Sequence, residues 1–195
     1  MDPTAERPRV VLRAFRDDDI DNVAEMNADP LVMATIGPVA DREASELLLR
    51  RVAAHHEEHG FGLWCIDLEG ECVGFCGLTR PWFRDGVEIG WRLRSRFWGR
   101  GLASESARMV LDRAFGSLGL DEVISFTAAL NTRSRRVMDA IGLLHDPDGD
   151  FDHPAIALGD PLRPHVLYRM DRGRYRALRE PNRPAPPRTE SEPPR

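Results

Sequence analysis

The spacing of apolar positions along the chain changes period several times. Val10–Phe15 alternates as a first strand. From Asp17 to about Ala28, Ile20, Val23, Ala24 and Asn27 recur on one face, the 3.6-residue period of a helix. Asp41 stands where an N-cap belongs, ahead of a helix with Leu47, Leu48 and Val52 on its apolar side. Phe61–Thr79 reads as two strands folded back at Glu69-Gly70. A strand over Val87–Leu93, a helix from Gly101 to Leu118 and a strand over Glu122–Ala128 come next. A helix from Thr132 to Ile141, closed by Gly142, and a last strand over His165–Asp171 complete the order. This alternation predicts an α/β (α+β) fold, a mixed central sheet flanked by helices.

Composition narrows the picture. The 195 residues, 42% hydrophobic and 30% charged, suffice for one domain with a real core. The end of the chain differs in kind. From Arg172 onward there are seven Arg against three Glu, and from Pro181 the sequence is rich in Pro. A domain over residues 1–175 and a disordered Pro/Arg-rich tail over 176–195 are expected. The net charge of −5 thus divides into −9 before Arg172 and +4 from it onward. An acidic domain points to a cationic acceptor and away from nucleic acid.

Several function classes drop out. All 27 basic residues are Arg, which excludes a Walker A loop and Schiff-base chemistry, both of which need Lys. The longest uncharged stretch, Pro30–Ala40, is far short of the roughly 20 apolar residues that cross a bilayer. The first ten residues carry no apolar run, so no secretory leader and a cytoplasmic location are expected. Cys65, Cys72 and Cys76 are odd in number and form no C-x-x-C pair, so free thiols are expected, with no metal site.

The chemistry concentrates in Val87–Ala107. A strand runs into Arg96-Phe97-Trp98-Gly99-Arg100-Gly101, and a helix follows directly. The first amides of a helix lack intrahelical partners and carry partial positive charge. Gly99 and Gly101 allow an anion close to the backbone, and Arg96 and Arg100 add charge. A pyrophosphate can be held this way without Lys or a metal, although ordinary turns use glycine too.

This segment resembles the R/Q-x-x-G-x-G/A acetyl-CoA signature of the GCN5-related N-acetyltransferase (GNAT) superfamily, at Arg96, Gly99 and Gly101, with Ala103 following. The preceding EIGWRL is similar to that family's fourth strand. Asn131–Met138, ending at Ile141-Gly142, resembles the family's N-x-x-S-x-R-V-M-x-x-x-G helix. With Ser134 and Met138, and with Gly149–Met170 beyond, it is similar to the RimJ/RimL branch, the acetyltransferases of ribosomal-protein N-termini and their relatives. The likeness spans roughly residues 9–171.

The resemblance implies a mostly antiparallel sheet splayed between its fourth and fifth strands, with Val87–Leu93 leaving its neighbour at a bulge. It implies acetyl-CoA as cofactor and a primary amine as acceptor, a protein N-terminus first. A small amine (polyamine, aminoglycoside or metabolite) is one alternative, and a non-catalytic acyl-CoA-binding module is another. Homodimers occur among relatives, so a homodimer is one partner to test. Backbone near Trp91, Arg92 and Leu93 would pair with pantetheine. Amides of Trp98, Gly99, Arg100, Gly101, Leu102 and Ala103 would take the pyrophosphate. Asn131 would bind the pantetheine side, with Ser134 near the sulfur. Trp91 and Trp98 read equally well as core packing.

Amine acetylation needs a neutral amine, a stabilised thioester oxygen and a proton for the departing thiolate. Family members often use a carboxylate on the fourth strand as base, which here is Glu88; its other reading is a solvent-facing strand residue. Many use a Tyr in the helix after Asn131 as acid, and this chain has Met138 there. Ser134 is the substitute, with Tyr168 in reserve. Trp64, Trp82, Phe83, Asp152 and His153 are the candidate acceptor-binding residues, with Asp150 close by. Each has a structural alternative: the rings as core or rim, and His153 and His165 as ordinary loop or strand residues.

Overall fold

The computed structural model describes residues 9–179. Its elements in chain order are β1 (Val11–Arg13), α1 (Asp19–Ala28), α2 (Pro30–Met33), α3 (Arg42–His59), β2 (Leu63–Leu68), β3 (Glu71–Thr79) and β4 (Glu88–Leu93). Then come α4 (Leu102–Phe115), β5 (Glu122–Ala128), α5 (Thr132–Ile141), β6 (Leu144–His145), β7 (Phe151–Asp152), β8 (Pro164–Asp171) and α6 (Arg172–Arg179). The strands form one sheet in the order β1-β2-β3-β4-β5-β8-β6, with β7 also on β8. Every pairing is antiparallel except β4 with β5.

Local chemistry accounts for most of these elements. Asp41 caps α3 through Ala44 N at 2.8 Å, and Gly60 ends it in the left-handed conformation. The β2–β3 hairpin turns on Glu69 (φ 55°) and Gly70 (φ 92°), the paired positive φ of a type I′ turn. β1 is shorter than expected, because the chain leaves the sheet after Arg13 to enter α1. There Arg13 binds Asp19 through two bonds of 2.6 and 2.9 Å and Asp67 through one of 2.7 Å, all largely shielded from water. α4 stops at Phe115 rather than Leu118, where the Gly116 amide closes on the Asp112 carbonyl.

Helices cover both faces. On one, α4 packs Leu102, Val110 and Leu111 against Val73, Leu78 and Ile89. On the other, α1 and α2 set Val23, Met26, Val32 and Met33 against Cys65, Cys72 and Phe75. All three cysteines are free and buried. The ligand atoms of Cys65, Cys72 and Asp19 lie within 4.8 Å of one another, but the ion pair with Arg13 occupies both Asp19 oxygens.

The sheet parts where it is parallel. β4 and β5 share a single register pair, Glu88 with Ile124. Beyond it the Ser125 hydroxyl, not a strand amide, donates to the Ile89 carbonyl at 2.8 Å. The expected bulge in β4 is absent: its ladder with β3 runs unbroken from Gly74–Leu93 to Thr79–Glu88. The irregularity lies instead between β2 and β3, where Val73 of β3 is the extra residue opposite the Ile66–Asp67 step. α6 continues the chain as helix through Arg179, four residues past the expected boundary at 175, because Tyr175 stacks on Phe115 at 4.7 Å. The rest of the expected tail, 180–195, lies outside the described residues. Among the described residues no helix is long and apolar enough to cross a membrane.

Candidate active site

A cavity of about 390 Å³ opens where β4 and β5 diverge. One wall is β4 at Trp91, Arg92 and Leu93, and one end is the loop and first turn of α4. The opposite wall is the start of α5 at Asn131, Arg133, Ser134 and Arg136. α2 and the turn after it close the side through Val32, Thr35 and Ile36. Of the expected cofactor residues, Trp98, Gly99, Gly101, Leu102 and Ala103 line it as well.

The loop is shaped for an anion. Gly99 (φ 73°) and Gly101 (φ 77°) hold the left-handed conformation, and a Cβ at Gly99 would meet nothing within 4 Å. Gly101 is the N-cap of α4 and has no side chain to satisfy the first-turn amides. The one acidic residue of that turn, Glu105, is tied to Arg9 by the Nε bond of 2.9 Å. The arginines that line the cavity differ from the two the loop sequence offered. Arg96 pairs with Glu71 and Arg100 lies over Phe97 at 5.6 Å, and neither lines the cavity. Arg133, 4.2 Å over Trp98, and Arg136 do, on the same face of α5. They flank Ser134 in the sequence, a signal that the Gly-rich loop overshadowed. The uncharged run Pro30–Ala40, read only for its length, supplies the α2 side.

Backbone groups of β4 serve the gap. The carbonyls of Val87 and Ile89 bond toward β5, and strand alternation turns the Trp91 amide and carbonyl the same way. The Leu93 carbonyl is already taken by the Trp98 indole N–H at 2.9 Å. Asn131 spends its side chain on structure: its oxygen accepts from Ser134 N at 3.1 Å, and its amide donates to Thr127 Oγ1 at 3.0 Å.

Glu88, Gly90 and Arg92 follow one another on the α1 face of β4. A Cβ at Gly90 would lie 3.8 Å from Glu88 Oε1, so the glycine leaves the flank of the carboxyl clear. Glu88 keeps some solvent contact, yet protein encloses its carboxyl, and burial pushes its pKa up to about 8. The Thr79 hydroxyl, donating at 3.3 Å, opposes that rise in part. Burial likewise draws the Arg92 guanidinium down to about 10, and Asn27 Oδ1 anchors it at 2.7 Å.

Further along the same sheet face, Phe83 and His153 come together with three rings the sequence did not single out for acceptor binding. Phe83 lies 5.5 Å from Phe126, 5.7 Å from Phe151 and 4.7 Å from His153, and His165 lies 4.9 Å from His153. The segment carrying Phe83 is tied at its root, where Arg80 N donates to His55 Nε2 at 3.1 Å. Trp82 is 77% exposed at the rim, edge-on to Phe83. Asp152 is held by Arg163 at 3.1 Å. Trp64 is elsewhere: it pairs with Cys76 on the α4 face, under the Arg113 guanidinium at 4.9 Å. Tyr168 is buried on that face too, beneath His145 at 5.1 Å, away from Glu88.

An open, mostly antiparallel sheet, split beside a glycine loop and an uncapped helix start, defines an α/β protein with a deep cleft beside β4. The comparisons with known proteins agree. The acetyltransferase (GNAT) domain matches residues 9–144, and the chain belongs to that family of acetyl-transferring enzymes, whose donor is acetyl-CoA. A relative from Aspergillus fumigatus, FsC-acetyl coenzyme A-N(2)-transacetylase, is 32% identical over 154 residues. The match covers 73% of this chain and 66% of that one, a little under two thirds of the relative's length. An acetyltransferase from Agrobacterium tumefaciens superposes with TM-score 0.70 at 28% identity, over 83% of this chain and 90% of its own. A GNAT-family acetyltransferase from Bacillus anthracis does so at 0.71 and 25%, over 85% and 96%.

Proposed function

We propose that this protein is an acetyl-CoA-dependent N-acetyltransferase acting on a primary amine. The observation that carries this reading is the run of β4 from Glu88 to Leu93. The cavity with its glycine loop begins at Trp91, and a carboxyl with raised proton affinity stands at Glu88, three residues away. The residues present suit acetyl-CoA: the α4 amides and Gly99–Gly101 loop for the pyrophosphate, Arg133 and Arg136 for further phosphate charge, and the Trp91 backbone for pantetheine. When bound, acetyl-CoA supplies the thioester as acyl donor.

The roles follow from proton affinity. Glu88 takes the amine proton, since a carboxyl pushed to about 8 matches an amine far better than one at its ordinary 4.5. The Ser134 hydroxyl, half-buried in the cavity wall, hands its proton to the departing thiolate as it takes one from solvent water; a thiol of pKa about 8.5 needs little help. Likeness to the RimJ/RimL branch favours a peptide N-terminus as acceptor.

Gly101→Val should weaken acetyl-CoA binding by about tenfold, because a β-branched residue resists φ 77° at the head of α4. Calorimetric titration checks this; unchanged affinity removes the loop from the binding site. The function itself is tested by thiol release from acetyl-CoA across a panel of amines. Release that depends on the amine is the expected result. Tight binding without it leaves an acyl-CoA-binding module.

A further inference from the structure

The acceptor side of the site has a definite chemistry. Phe83, Phe126, Phe151, His153 and His165 are all half-buried, so none of the five is closed off from solvent. Register puts Phe126, Phe151 and His165 on Glu88's face of the sheet. Glu88 pairs with Ile124; Phe126 is two residues on, about 7 Å along β5. Ala128 pairs with His165, and His165 with Phe151. A contiguous patch of partly exposed rings beside a polar catalytic group is an organic-ligand surface in type.

Charge sharpens this. Of the acids close in sequence to the rings, Asp152 is held by Arg163 at 3.1 Å, and Asp150 accepts from Leu167 N at 2.9 Å and meets the His145 ring at 3.0 Å, whereas Asp85, two residues past Phe83, is exposed. The cation here is Arg84, 4.3 Å over the Phe151 ring. Burial holds His153 and His165 below the usual imidazole range, so both are neutral at pH 7. Glu88 is then the enclosed carboxyl on the rings' own face of the sheet, and a second ammonium held against the rings would meet the Arg84 guanidinium.

We propose that the acceptor is a single primary amine carried on an aromatic or apolar body with no second cationic group. This rests on the acetyltransferase reading and narrows its substrate. It also departs from the cationic acceptor that the acidic composition suggested, because Asp150 and Asp152, the acids beside the rings, are engaged within the protein. Two sources share the chemistry: a peptide N-terminus with an aromatic first residue, and a free arylalkylamine.

The test is kcat/KM from thiol release with 2-phenylethylamine, with Phe-Gly-Gly amide and with spermidine. At least one aromatic acceptor should exceed spermidine by about tenfold or more, and the better of the two identifies the source. Phe83→Asp should shift the ratio toward spermidine by about tenfold. Phe83→Leu, which keeps an apolar side chain, should raise KM for the aromatic acceptor several-fold and leave acetyl-CoA affinity unchanged. Spermidine equal to or better than both aromatic acceptors overturns the proposal while the acetyltransferase reading stands, as do ratios and KM values that neither variant moves. Turnover of no amine by protein that binds acetyl-CoA overturns the acetyltransferase reading itself.

Discussion

Glu88→Gln should lower kcat by about 10²–10³-fold and leave acetyl-CoA affinity unchanged, the loss typical of a removed general base. Gln preserves size and can still accept from the Thr79 hydroxyl, so the packing of β3 on β4 survives. Steady-state thiol release and a parallel acetyl-CoA titration separate the two effects; equal loss in both would mark Glu88 as structural. The variant also has a stability signature. The folded carboxyl binds its proton up to about pH 8, whereas the unfolded one releases it near 4.5. Its contribution is full below 4.5 and is lost as pH rises through 8. The melting temperature of Glu88→Gln relative to the natural protein should therefore climb across that window.

Arg13→Met should cost about 3–5 kcal/mol of stability, because it strands two shielded carboxylates. Arg13 is the guanidinium that holds Asp19 and Asp67 together. Burial works to raise the pKa of each acid, and the bonds from Arg13, with those from the Arg16 amide to Asp19 and the Gly70 amide to Asp67, outweigh it. Both pKa values are lowered, so the stabilisation is present above the ordinary 3.8 and is lost as pH falls through the folded values. The consequence reaches the site, since α1 carries Asn27, which anchors Arg92. Urea unfolding at pH 7 and at pH 3, below the ordinary carboxylate value, checks both points. A loss under about 1 kcal/mol, or one equal at both values, would show that the pair adds little.

Legibility in the sequence tracks the range of the forces involved. The hairpin at Glu69-Gly70, the cap at Asp41 and the Gly99–Gly101 loop are local, and their residues announce them. The two-residue strands β6 and β7 exist only as partners of β8 and have no period of their own. Trp64 reads as an acceptor residue from its type, but the register of β2 on β3 turns it to the α4 face. Arg96 fits the phosphate motif by position, and its partner Glu71 lies 25 residues away on a neighbouring strand. Arg133 and Arg136 gain their place from the docking of α5 across the split sheet. The acceptor rings gather from four separate segments: the β3–β4 connection, β5, the β7 region and β8.

The most direct test is the pH dependence of kcat/KM for a reactive amine at saturating acetyl-CoA, measured in the natural protein and in Glu88→Gln. With Glu88 as base, the natural protein's rate rises tenfold per pH unit and bends near pH 8, and the bend is missing from the variant's residual rate. A profile that bends at the same place in both proteins would contradict the account.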